Sequence, residues 1–96
     1  MTTIPQDLAG AVLTIDLTAI QHNWRALAAQ AGAARCGAAV KGNAYGLGIE
    51  PVARALWEAG CRDFFVARPK EGEELRAVLP EQAIYVLDGL LQQQAE

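Results

Sequence analysis

The sequence predicts an α/β domain with parallel strands. Three observations lead there: strand-like and helix-like segments alternate along the chain, the run at 34–41 is apolar on both parities, and the connections are short. Such an order calls for right-handed crossovers that return each strand parallel to the last.

The elements follow in sequence. After a loose lead containing Pro5, AVLTIDL (11–17) alternates Val12, Thr14 and Asp16 against Leu13, Ile15 and Leu17, the period-2 pattern of a strand with one wetter face. Thr18-Ala19-Ile20-Gln21 reads as a capping box that starts a helix, with Ile20, Trp24, Leu27 and Ala31 on one side and Gly32 as its stop. His22 lies off that stripe, and nothing around it has metal or triad spacing. ARCGAAVK (34–41) reads as a strand covered on both faces, as parallel strands are. A helix is expected from about Ile49, with Pro51 in its first turn and Gly60 at its end. Its inward side carries Val52, Leu56 and Ala59 with Ala55 beside them, Trp57 lies on the flank, and Glu50 precedes Arg54 by one turn. DFFVAR (63–68) is a short aromatic strand, PKEGEELRAVLP (69–80) a helix with Leu75, Val78 and Leu79 inward, and AIYVLDG (83–89) a further buried strand. LLQQQAE carries no fold signal.

Composition narrows the function. The chain has 96 residues, 52% hydrophobic and 20% charged, which is globular, and no apolar run approaches the roughly 18 residues of a membrane span. MTTIPQDLAG has neither a basic n-region nor a long apolar stretch, so the expected location is the cytoplasm. Cys36 and Cys61 have no metal or redox spacing and read as reduced, buried small hydrophobes. The net charge of −3 and eight scattered basic residues argue against a nucleic-acid partner, leaving a small molecule.

The chemistry concentrates in AAVKGNAYGLG (38–48). From Cys36 through Ile49, Lys41 is the sole charged residue, and it stands where a strand ends and a helix is about to begin, the place where such folds keep their sites. Read from the residues, Lys41 is either a lysine snorkelling to solvent or a reactive amine. Gly42, Gly46 and Gly48 precede a helix N-terminus that would favour an anion, but G-x-x-x-x-G-K-[ST] and G-x-G-x-x-G are both absent. A Schiff-base lysine needs a pocket free of competing carboxylates and glycines that let a large ring approach, and the stretch offers both.

AAVKGNAYGLG, followed by EPVARALWEAG, FFVARPKEGEELR and IYVLDG, resembles the N-terminal part of alanine racemase, whose motif is V-K-x-N-A-Y-G-x-G, over about Leu13 to Gly89. The resemblance implies pyridoxal 5′-phosphate (PLP) as cofactor. Lys41 would hold it as a Schiff base and act as one of two acid/base groups, and Tyr45 would help hold it near its phosphate. It further implies an amino-acid substrate interconverted between L- and D-alanine, supplying D-alanine for peptidoglycan, in a cytoplasmic homodimer. No nucleic acid, membrane or metal is implied. A tyrosine from the partner's second domain would serve the opposite face of the substrate. The implied fold is part of a (β/α)8 TIM-type barrel, a unit of typically ~250 residues. The chain would supply about the first four strands and three helices, with residues 1–10 a lead, 11–90 barrel, 91–96 tail, and the C-terminal β domain absent. If AVLTIDL joins the second domain's sheet, three barrel strands remain. An open barrel implies little or no activity for the chain alone.

Two positions depart from the family pattern: Gly42 replaces the usual alanine, loosening the turn, and Leu47 replaces histidine, removing a polar contact. The rivals are a single-domain PLP-binding carrier of the same barrel type, a decarboxylase of the same fold type, and a noncatalytic interaction module. The first two lack the N-A-Y-G-x-G continuation, and the last predicts that Lys41→Ala changes nothing.

Overall fold

A computed structural model describes residues 10–89, so the expectations for the rest of the lead and for the tail at 91–96 lie outside the described residues. The order is α1 (Leu17–Ala31), β1 (Ala38–Ala39), α2 (Lys41–Tyr45), α3 (Ile49–Ala59), β2 (Asp63–Val66), α4 (Pro69–Val78) and β3 (Ala83–Val86). The three strands form one parallel sheet in the order β1-β2-β3, with Ala38 opposite Phe64, and Phe64 opposite Ile84.

The expected first strand does not form. Residues 11–16 carry no strand pairing, and Val12 (52% exposed) and Leu13 (76%) face solvent. Period-2 alternation specifies a strand only when a neighbour satisfies its backbone, and among the described residues none lies beside it. Leu17, the last residue of the supposed strand, is instead the first of α1. The cap is also displaced. Asp16 is the N-cap, its Oδ1 accepting from the Ala19 N–H at 3.0 Å, and Thr18 makes no capping box. Aspartate caps at least as well as threonine, and starting earlier brings both Leu17 and Ile20 against the core.

Helix α1 ends at Gly32 as expected, but its inward stripe is narrower than the sequence suggests, since Leu27 is 59% exposed. Its packing is mainly on α3, where the Gln21 side-chain amide donates to the Ala55 carbonyl at 2.8 Å. Trp24 donates from Nε1 to the Cys36 carbonyl at 3.3 Å, and its ring lies over Gly60, where a β-carbon would come within 3.3 Å. His22 is exposed.

The sheet has two unlike faces. Ala38, Val40, Phe64, Val66, Ile84 and Val86 face α3 and α4, and with Val52, Ala53, Leu56, Cys61, Leu75 and Leu79 they form the core. Phe64, Leu75, Val40, Val66 and Cys61 are fully buried, and burying a side chain of the Val, Leu or Phe kind contributes about 1.5–3 kcal/mol. Gly72 faces the sheet from α4, where an added β-carbon would make ordinary contacts of 3.7–3.8 Å with Val66, Ile84 and Val86.

The opposite face is open. Ala39 and Tyr85 are exposed, so the two-sided covering expected of the 34–41 strand is not found there, and the ladder at that strand is only two residues long. Phe65 stacks on Tyr85 with centroids 4.8 Å apart, and below them Asp63, 6% exposed, accepts both Nε (3.0 Å) and Nη2 (2.6 Å) of Arg35 and the Tyr85 hydroxyl (3.2 Å). Both cysteines are free. Cys61 is buried as expected, whereas Cys36 is only half-buried. Among the described residues no helix is long and apolar enough to cross a membrane.

Candidate active site

The site is built where β1 runs out. Val40 is fully buried and still donates its N–H to the Phe65 carbonyl at 2.8 Å, so the chain is held in the sheet up to the residue before Lys41. Beyond it the backbone turns left-handed. Gly42 (φ +61), Asn43 (φ +55), Ala44 (φ +56) and Tyr45 (φ +56) all lie at positive φ, making α2 a turn of the hand opposite to every other helix here. An ordinary non-glycine residue in this region costs roughly 1–2 kcal/mol, so Ala44 and Tyr45 carry most of the strain, whereas asparagine tolerates the region better.

Local bonds and burial offset that strain. The Ala44 N–H donates to Val40 O (2.9 Å), Gly46 N–H to Gly42 O (2.9 Å) and Leu47 N–H to Ala44 O (3.1 Å). Asn43 acts at both ends of its own residue: its carbonyl accepts from the Gly48 N–H at 2.9 Å, and its side-chain Oδ1 accepts from the Ile49 N–H at 2.8 Å. The first free N–H of α3 is thereby satisfied from within the chain, so that donor is not left over for the anion considered from sequence. Ala44 is 3% exposed and packs into the core.

The turn brings Lys41 and Tyr45 to one cavity of about 360 Å³, lined also by Gly42, Ala67, Arg68 and Glu71. Lys41 is half-buried and Tyr45 is 65% exposed. Both residues singled out in the sequence therefore sit together, at the C-terminal ends of β1 and β2. The Arg35–Asp63–Tyr85 cluster lies at the other end of the strands.

Glu71 is the residue the sequence reading missed. The stretch around Lys41 is free of carboxylates only along the chain; α4 returns one in space. Its charge is already engaged, with Oε1 accepting from the N–H groups of Ala67 (2.9 Å) and Arg68 (3.2 Å) and Oε2 from that of Gly42 (2.6 Å). Desolvation pushes this carboxyl upward, but the backbone N–H groups of Arg68, Ala67, Gly42 and Asn43 outweigh it and hold Glu71 below the usual glutamate range. The available signal was its place two residues after Pro69, the third position of a helix, where acids cap. No local pattern could foretell a bond to Gly42.

The two departures from the motif also find their places. A β-carbon at Gly42 would meet nothing within 4 Å, so an alanine fits there in space though not in backbone preference. Leu47 is half-buried and packs its hydrocarbon against the core cluster.

A parallel sheet with helices on one face, an open opposite face, and a lysine at a strand's C-terminal end defines an incomplete β/α barrel with a lysine-bearing site. The chain belongs to the family described as "Alanine racemase, N-terminal domain", which matches residues 15–96. It is 60% identical over 80 residues to the alanine racemase of Methylobacterium nodulans, covering 83% of this chain and 22% of that protein. It is 50% identical over 82 residues to that of Rhizobium meliloti, covering 85% and 22%. Among solved structures it matches alanine racemase from Bartonella henselae with covalently bound pyridoxal phosphate, at TM-score 0.79 and 49% identity over 82% of this chain and 22% of that one. Alanine racemase from Streptomyces lavendulae gives TM-score 0.67 and 48% identity over 73% and 18%. The chain thus spans about a fifth of the length of the relatives it matches.

Proposed function

We propose that this chain supplies the lysine-bearing part of a PLP-dependent alanine racemase, in which Lys41 holds the cofactor and serves as one of the two acid/base groups and Tyr45 helps hold the cofactor near its phosphate. The observation that carries the reading is the meeting of Lys41 and Tyr45 on one cavity through a left-handed turn. The likeness to a racemase described with covalently bound pyridoxal phosphate supports it.

The residues present suit the group. Lys41 offers an amine, Gly42 leaves open space beside it, and the one carboxylate on the cavity wall is taken up by three backbone N–H groups. When bound, the cofactor supplies an electron sink for the charge left on a substrate carbon that loses its proton. Lys41 Nζ would serve one face of that carbon, taking the proton there in one direction of the reaction and delivering one there in the reverse direction, while the second acid/base group serves the opposite face. Such a transfer is worth typically about 10²–10⁴-fold in rate. The buried Val40 and the bonded turn fix where Nζ starts from, and Tyr45 limits how the ring and its phosphate lie.

The substrate we assign is alanine, and the setting a cytoplasmic homodimer making D-alanine for peptidoglycan. The 96 residues alone have little or no turnover on this reading, because the sheet face that would line the barrel, with Ala39 and Tyr85, stands open. The test is borohydride reduction of the cofactor-loaded, full-length gene product followed by peptide mapping. The label is expected on Lys41, with L-to-D alanine conversion abolished in Lys41→Ala. Label on Lys70 alone, or no label, overturns the assignment.

A further inference from the structure

We propose that Glu71 is a positioning residue for the reactive lysine: its carboxylate latches the left-handed turn to the start of α4. The proposal rests on the reading of Lys41 as the cofactor lysine.

The geometry divides the two oxygens between two tasks. Oε1 caps its own helix through Ala67 and Arg68, the ordinary work of an acid at the third helical position. Arg68 has no acceptor and gives no reciprocal side-chain cap. Oε2 reaches across 29 positions of sequence to the N–H of Gly42, at 2.6 Å the shortest of the three. Gly42 immediately follows Lys41, and at φ +61 it is where the chain changes hand. No side chain buttresses it, since nothing lies within 4 Å of where a β-carbon would be. Among the described residues the Glu71 bond is the side-chain contact that the Gly42 amide makes. A charge-assisted hydrogen bond there fixes the peptide plane from which the Lys41 side chain departs. It also sets the spacing between the ends of β1 and β2, the two strands that carry the cavity.

Two substitutions in the full-length protein separate the tasks. Glu71→Asp keeps the charge at the helix start but shortens the reach to Gly42, whereas Glu71→Gln keeps the reach but leaves one acceptor oxygen for two tasks. Glu74→Gln, on an exposed residue of the same helix, is the control. The first readout, independent of cofactor, is hydrogen exchange at the Gly42 amide, expected to quicken about tenfold in Glu71→Asp and to stay unchanged in the control. The second is the apparent dissociation constant for PLP, expected to rise roughly tenfold in Glu71→Asp, with kcat lowered and substrate KM unchanged.

Unchanged Gly42 exchange in both Glu71 variants refutes the latch. Faster exchange with unaltered PLP affinity and kcat refutes the positioning role. If the unmodified protein takes no borohydride label at Lys41, the functional reading fails, and Gly42 exchange still decides the latch separately.

Discussion

Replacing Asn43 by glycine and by alanine gives a test whose sign depends on the hand of α2. Both substitutions remove the Asn43 Oδ1 bond to the Ile49 N–H, a capping loss of about 1 kcal/mol that cancels in the comparison. What differs is the backbone at φ +55. Alanine there costs roughly 1–2 kcal/mol of steric conflict that glycine avoids. Glycine's freer unfolded chain gives back about 0.4–1 kcal/mol to alanine. The glycine variant is therefore expected to be the more stable by up to about 1.6 kcal/mol, with a central value near ~0.8. In a right-handed turn the order reverses, alanine leading by about 0.8–1.0 kcal/mol. Asn43 is exposed, so no cavity confuses the result. Urea unfolding of the two variants in one background, followed by circular dichroism, reads the difference. Alanine more stable than glycine would refute the left-handed assignment, and with it the way Lys41 and Tyr45 are brought together.

Two further outcomes follow from the packing. Gly37→Ala would place a β-carbon 2.6 Å from Phe65 Cε2 and 3.1 Å from the Asp63 carbonyl, so it should destabilise by about 1–3 kcal/mol and disturb the Phe65–Tyr85 stack; near-ultraviolet circular dichroism unchanged from wild type would contradict that. Burial pushes the Cys61 thiol up from 9.0 to about 11, so above pH 9 the unfolded chain loses its proton first and stability falls until about pH 11, by on the order of 2–3 kcal/mol. Cys61→Ala should flatten that alkaline slope in a denaturation series across pH, and a slope of undiminished steepness would assign it elsewhere.

How far the sequence could be read depended on whether the deciding partner was near in the chain. Gly32 and Gly60 as helix ends, the Glu50–Arg54 pair at 3.3 Å, and the inward Val52, Leu56, Leu75 and Leu79 were legible because each follows from spacing within one or two turns. The same holds for the alternation that predicts a parallel sheet. AVLTIDL failed because alternation describes a strand's faces and not the neighbour it needs, and the helix start failed because Asp16 and Thr18 compete for one role. Lys41 and Tyr45 were singled out through a motif, and the structure brings them to one cavity. The conformation joining them was not legible, because Asn43 is at ease at positive φ but Ala44 and Tyr45 give no hint of it, and a run of four such residues has no local signal. Glu71 was invisible as a site residue for a related reason, since its partner Gly42 lies in a different β/α unit.

The strand order of the sheet repeats the order of synthesis, β1 then β2 then β3. A strand leaving the ribosome finds its neighbour already made, so pairing can keep pace with elongation, about 5–20 residues per second, without awaiting sequence still to be translated. The turn that carries Lys41 and Tyr45 thus needs only the strand and helix that follow it, not later sequence, to find its neighbours on the nascent chain.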